Sequence, residues 1–244
     1  MKRLVLAATF LIVFTSAALA QTPDLSALIP QGGGSTAARI IQLVALLTVL
    51  SVAPGLLIMV TSFTRFIVAL SFLRSGLGLQ STPANLILIS LALFMTFYVM
   101  SPTFDQAWQD GVKPLMDNSM TEQQAFPKII EPFRKFMLKQ VRDKDLKMFS
   151  DLAPPSIKAK PGEEVDMRIL IPAFMISELR RGFEMGFLIA LPFLVIDMIV
   201  STITMSMGMM MLPPSVISLP IKLLFFILID GWHMLIGSLI RSYH

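Results

Sequence analysis

Long uncharged stretches set the plan of this chain. No residue from Ile40 to Thr64 is charged, and none from Ser75 to Phe104, so each run exceeds the roughly 20 residues that a bilayer-spanning helix requires. Two further apolar helices are predicted over 185–211 and 215–240, parted by Pro213-Pro214. Consecutive prolines remove two backbone donors and push Leu212 out of the helical region, so one helix must end there and another begin. Within the first run Pro54-Gly55 predicts a kink. Ahead of the second, Ser81-Thr82-Pro83 predicts a capped start with proline in the first turn.

The stretches between these runs differ from them in kind. Residues 1–20 have the form of a secretory signal peptide: Lys2 and Arg3, an apolar run from Leu4 to Phe14, then Ala18-Leu19-Ala20 as the cleavage site. Residues 21–38, with Pro23, Pro30 and Gly32-Gly33-Gly34-Ser35, read as a flexible leader. Residues 39–104 hold apolar helices one and two. Residues 105–168 carry 22 of the chain's 36 acidic and basic residues and are predicted to be a soluble, water-facing insert. Within the insert Thr121-Glu122-Gln123-Gln124 fits a capping box. Phe133, Phe136, Met137 and Val141 recur at helical spacing, so an amphipathic helix is predicted from about 128 to 150, packing its stripe on the rest of the fold. Residues 169–244 hold apolar helices three and four.

Composition narrows the class. Of 244 residues, 55% are hydrophobic and 15% charged, which points to a membrane protein. Without cysteine, disulfides, thiolate metal sites and cysteine nucleophiles are excluded. A formal charge of +4, half of it from Lys2 and Arg3, is too small for a nucleic-acid binder. With only His233 and His244, neither a histidine metal site nor a Ser-His-Asp triad can be assembled, and no phosphate-binding loop motif occurs. The sequence therefore predicts no cofactor, no metal and no enzymatic activity.

Charges inside the apolar helices are the candidates for function. With the N-terminus outside, the 61–80 segment and its Arg65 and Arg74 fall inside, as the positive-inside rule asks. Arg168, Arg180 and Arg181 fall on the outer side, and Asp197, Lys222 and Asp230 lie within helices, each at a few kcal/mol in lipid. A neighbouring subunit or a water-filled passage is expected to meet them. Gly182 and Gly186 give the small-xxx-small spacing that lets helices approach, so an oligomer is expected. Asp197 has three readings: a proton-relay carboxylate, a lumen-facing polar group, or a structural partner of a cation or helix end on an adjacent subunit. Lys222 and Asp230 lie about 80° apart around a helix and about 12 Å along it, so they cannot pair with each other. Glu178, Arg180 and Arg181 either make intersubunit ion pairs or stay solvated at the boundary. Met205, Met207, Met209, Met210 and Met211, with Gly208 among them, are either ordinary packing at a helix end or a deformable apolar constriction.

Several long motifs together resemble the FliP family of flagellar biosynthetic proteins. They are Thr61-Ser62-Phe63-Thr64-Arg65 to Leu70-Ser71-Phe72-Leu73-Arg74, then Pro172-Ala173-Phe174 through Ser177-Glu178-Leu179 to Gly182-Phe183-Glu184-Met185-Gly186-Phe187. Pro192 to Asp197, Gly208 to Pro214 and Asp230-Gly231-Trp232 follow. The resemblance implies an all-α fold of four hydrophobic helices forming bent hairpins, with a helical, charged periplasmic insert, in a helical oligomer. It implies a core subunit of the type III protein export gate in the inner membrane at the flagellar basal body, much of it on the periplasmic side. The implied partners are FliQ and FliR, FlhB and FlhA, further copies of the chain in a pentamer, and unfolded export substrates. It makes Met209, Met210 and Met211 the pore seal, beside which Met207 is a further candidate, and Glu178 a contact between subunits near the lumen. Two alternatives stand beside it: a small-solute or ion channel with Asp197 in a relay, and an intramembrane hydrolase pairing Asp197 with Asp230.

Overall fold

The computed structural model describes residues 36–157, 164–208 and 213–243. The predicted signal peptide, the leader up to residue 35, and Met209, Met210 and Met211 lie outside the described residues. Contacts divide the chain into a unit ending at Pro54 and a unit from Gly55 to His244, and all regular structure among the described residues is helical.

Helix α1, Thr36–Met59, carries no charge after Arg39. It runs through Pro54-Gly55, and the interruption falls instead at Val60, Thr61 and Ser62, since a lone proline bends a helix more readily than it ends one. The 61–80 segment, expected as a connection, contains helix α2, Phe63–Gly76. Phe66, Ala69 and Leu70 on it are fully buried. It stops in a Schellman motif: Gly78 takes φ 78°, its N–H donates to the Ser75 carbonyl and that of Leu79 to the Arg74 carbonyl, a left-handed turn that glycine adopts without strain.

Helix α3, Asn85–Ala107, starts after Ala84 and not at the predicted Ser81 cap. A π-helical turn, Trp108–Val112, and the short α4, Lys113–Met116, continue it. The turn lays Gly111 on the next helix so closely that a Cβ there would sit 2.4 Å from Ile129 Cγ1. That next helix, α5, spans Glu122–Gln140 and begins at the predicted capping box of Thr121 and Gln124. The helix expected to reach 150 is two helices, because Val141 and Arg142 are extended and α6, Asp143–Leu152, restarts the run. Met137 on α5 is fully buried against Leu170 and Phe174, so the amphipathic stripe packs on the fold as expected.

Helix α7, Met167–Ser206, is 40 residues long and starts well before the predicted 185. The acidic and basic cluster at 178–181 belongs to its interior. Asp166 caps it by accepting the Arg168 N–H at 2.8 Å. After Pro213, α8 spans Pro214–Leu228 and α9 spans Gly231–Arg241. The single helix expected over 215–240 is thus broken, bent by 66° where Asp230 adopts a left-handed φ of 50°. The elbow is tight: a Cβ on Gly231 would lie 2.2 Å from the Phe226 ring.

Asn85–Met116 and Met167–Ser206 are long and apolar enough to cross a membrane, and counting each of two broken pairs as one span raises the number to four. The centre of the larger unit is α2 packed lengthwise on α7. Phe174, Glu178, Gly182, Gly186 and Ala190 recur every four residues on the buried side of α7, the spacing that forms a continuous ridge. A Cβ on Gly182 would meet Val68 at 3.1 Å, and one on Gly186 would meet Phe72 at 2.7 Å. The small-xxx-small motif, expected to admit a neighbouring copy, admits α2 of the same chain.

Candidate functional site

Two internal charge clusters sit along the α2–α7 packing. In the first, Arg65 on α2 and Glu178 on α7 are both fully buried. The Arg65 Nε donates to Glu178 Oε2 at 3.0 Å and Nη2 donates to Oε1, a bidentate pair. Such geometry fits the planar guanidinium fork to both carboxylate oxygens. The remaining guanidinium hydrogens are met as well: Nη1 donates to the Ser242 carbonyl at 3.0 Å and its hydroxyl at 2.9 Å, and Nη2 donates to Gln140 Oε1 at 3.3 Å. The Tyr243 hydroxyl donates to Glu178, and the Arg65 guanidinium lies 3.7 Å from the centre of the Tyr243 ring. Arg181, half-buried, donates to the same Gln140 oxygen at 2.7 Å. Glu178 was expected at a subunit contact or a lumen; with no exposed surface it is bound within its own chain. The reason is that removing a carboxylate from water demands a matched cation and hydrogen bonds, and α2 supplies them.

Beside this cluster α6 is pinned to α7. The Ser177 hydroxyl donates to Asp145 Oδ2 at 2.6 Å and accepts the Arg142 N–H at 3.1 Å. That bond takes up the backbone donor at the Val141–Arg142 break.

The second cluster joins α7, α8 and the end of α2. Lys222 is buried and donates to Asp197 Oδ2 and to the Gly76 carbonyl at 3.0 Å. The Ser218 hydroxyl donates to Asp197 Oδ1 at 2.6 Å. One of the three readings of Asp197 made it the partner of a cation or helix end on an adjacent subunit; its cation is Lys222 of the same chain. Its side chain is 39% exposed and faces an open cleft of about 720 Å³ lined by Ser75, Gly78, Ser81, Ser201 and Ser215 among others. One charge of this pair is therefore dry and the other wetted.

The remaining candidates lie apart from both clusters. Arg180 pairs with Glu184 one turn on, both 56% exposed, a surface contact worth little. Asp230 is exposed at the α8–α9 elbow. Lys222 holds Asp197 two turns of α8 before it, about 12 Å at 1.5 Å per residue, so Asp197 and Asp230 do not form the paired carboxylates of a hydrolase. Met205 and Met207 are exposed where α7 ends, with Gly208 at φ 72° after them. Among the described residues no group of three or more His, Asp or Glu is placed to hold a metal ion.

Sequence reasoning did not single out Gln140, Ser218 or Tyr243. Tyr243 is one of only two tyrosines in an apolar chain, and that rarity is the one signal that could have found it.

A model of the FliP family matches residues 46–239. Among curated proteins the chain is 66% identical over 212 residues to a flagellar biosynthetic protein FliP of Agrobacterium fabrum, covering 86% of each chain. A protein of the same name from Rhizobium meliloti is 63% identical over 211 residues, again 86% of each. That of Bacillus subtilis is 48% identical over 207 residues, 83% of this chain and 91% of the relative.

Proposed function

The chain belongs to the FliP family, and from that membership we propose that it is a core subunit of the flagellar type III protein export gate. In this reading it forms the protein-conducting channel with FliQ and FliR, in a homo-oligomer next to FlhA and FlhB. The assembly sits in the bacterial inner membrane at the flagellar basal body, with much of the chain, including residues 105–168, on the periplasmic side. Unfolded flagellar building blocks are its cargo. The observation that carries the reading is the match across residues 46–239, together with relatives named as flagellar biosynthetic proteins.

Physical features support it. Helix α7, 40 residues long, extends about 60 Å at 1.5 Å per residue, twice the roughly 30 Å of a hydrocarbon core. Its outward positions Phe183, Phe187, Leu188, Met198 and Ile199 are exposed and apolar, a surface that protein neighbours as well as lipid can cover. Of the charges that lipid would oppose, Arg65, Glu178, Asp197 and Lys222 are paired inside the chain. The segment Met207, Met209, Met210 and Met211 then acts as the seal: unbranched thioether chains close against one another and give way around a passing polypeptide.

Asp197 at the wall of a polar cleft is the one observation that favours the small-solute or ion channel instead. Two experiments separate the readings. A bacterium lacking its own FliP-family gene should regain export of hook and filament subunits, and swimming, when this chain is supplied. The purified chain alone in liposomes should pass neither protons nor potassium. Proton conduction by the isolated chain, abolished by Asp197→Asn, would overturn the export-gate reading.

A further inference from the structure

The Arg65–Glu178 pair is completed by a segment far from both in sequence. Ser242 gives its carbonyl and its hydroxyl to Arg65 Nη1, and Tyr243 gives its hydroxyl proton to Glu178. Gln140 Nε2 donates to the Tyr243 carbonyl at 3.4 Å. The Tyr243 ring is stacked on Phe136 at 5.9 Å and meets Phe66 edge-on at 5.5 Å. Ser242 and Tyr243 thus enter a pocket whose walls come from α2, α5 and α7, none of them neighbours in sequence. The carbonyl and hydroxyl of each of the two residues are answered there.

The helix that delivers this segment meets a sharp bend at its other end. Asp230 is exposed and left-handed, and α8 and α9 meet there at 66°. Helix α9 buries Leu235 and Leu239 in line with Tyr243, one residue every four, while Trp232, His233 and Met234 face outward. It is a short helix with a single apolar stripe, held by an elbow at one end and by the Tyr243 pocket at the other.

We propose that Ser242 and Tyr243 form a latch, and that the pocket made by Arg65, Gln140 and Glu178 is its recognition site. The latch decides whether α9 lies closed on the α2–α7 pair. Its release leaves the bidentate Arg65–Glu178 pair intact but takes two acceptors from Arg65 and one donor from Glu178. Opening is therefore local: α9 swings about Asp230 while the core of α2, α5 and α7 stays formed.

The absence of cysteine from the chain makes a thiol-labelling test direct. Single-cysteine reporters Leu239→Cys on α9 and Leu170→Cys at the start of α7, both positions fully buried, are placed separately in the full chain purified in detergent. Maleimide labelling rates are compared with and without Tyr243→Phe, which keeps the ring and removes only the hydroxyl. A hydrogen bond to a charged group accounts for about a tenfold or larger change in a local opening equilibrium. The Leu239→Cys rate should rise at least tenfold with Tyr243→Phe and more with Tyr243→Ala, while the Leu170→Cys rate under Tyr243→Phe stays within twofold. No rise at Leu239→Cys, an equal rise at both reporters under Tyr243→Phe, or labelling of Leu239→Cys in the parent chain as fast as an exposed thiol would each overturn the latch. Should Tyr243→Ala fail to fold, the Tyr243→Phe comparison alone decides.

Discussion

Replacing Glu178 by glutamine changes one heavy atom and removes the full negative charge paired with Arg65. In the parent, Oε1 accepts Arg65 Nη2, and Oε2 accepts both Arg65 Nε and the Tyr243 hydroxyl. Whichever way the amide is turned, its NH2 faces an Arg65 N–H, so a donor meets a donor in a site with no exposed surface on either residue. Breaking a buried pair from one side costs about 3–5 kcal/mol, because the other charge is left uncompensated. For a chain of this size each kcal/mol moves the midpoint by roughly 2–4 °C, so thermal unfolding of the purified chain should fall by roughly 6–20 °C. Trp108 and Trp232, the chain's two tryptophans, provide the fluorescence signal. The double replacement Arg65→Met with Glu178→Leu removes both charges and should recover part of the loss, ending above either single variant. A Glu178→Gln midpoint within 2 °C of the parent would refute the reasoning and return Glu178 to a role between subunits.

Other perturbations follow from the same geometry. Lys222 is buried while the Asp197 side chain is 39% exposed, so Asp197→Ala, which strands the dry lysine, should destabilise more than Lys222→Met, which leaves a carboxylate that water and Ser218 still serve; equal thermal shifts would contradict this. Gly186→Ala drives a methyl to 2.7 Å from Phe72 Cβ, and overpacking of this kind costs about 1–3 kcal/mol by equilibrium unfolding; a neutral result would mean that α2 and α7 slide apart freely. Asp166→Ala should speed amide exchange at Arg168, Ile169 and Leu170 severalfold by removing the α7 cap. Hydrogen bonding from Arg168 pulls the Asp166 carboxyl down to about 2. The cap's contribution is therefore full above the unfolded carboxylate value of roughly 4 and is lost as pH falls from there through about 2. Protection of those amides, corrected for the intrinsic exchange rate at each pH, should fall over that window in the parent chain and not in the variant.

The helices were legible wherever apolar runs are long, because burial from water acts on every residue of such a run. The Thr121 cap and the start of α8 at Pro214 were legible because their chemistry is local, whereas α7 stops at Ser206 and not at the predicted 211. Helix α2 was not: hydropathy registers Arg65 and Arg74 as the mark of a connection, and the carboxylate that buries Arg65 lies on α7, 113 residues on. Likewise, 178–181 reads as a boundary although the helix runs through it. Glu178 turns inward to Arg65 while Arg180 turns outward to Glu184, and a helix tolerates both because they point in different directions. The Asp197–Lys222 pair carried a usable signal that charge counting passed over. The two residues are nearly equidistant from the turn between α7, which ends at Ser206, and α8, which starts at Pro214, and an antiparallel hairpin puts such positions at one height. The elbow at Asp230 had no comparable warning beyond Asp-Gly, since a left-handed residue is set by the fit of Gly231 on Phe226 and not by hydropathy.

In the function proposed above, the chain forms a protein-conducting gate sealed by methionine. Replacing Met209, Met210 and Met211 together by alanine, and recording ion leakage across the inner membrane alongside export of flagellar subunits, tests it most directly. Increased leakage with the gate complex still assembled is the expected result. Unchanged leakage in an assembled complex would contradict it and place the seal elsewhere.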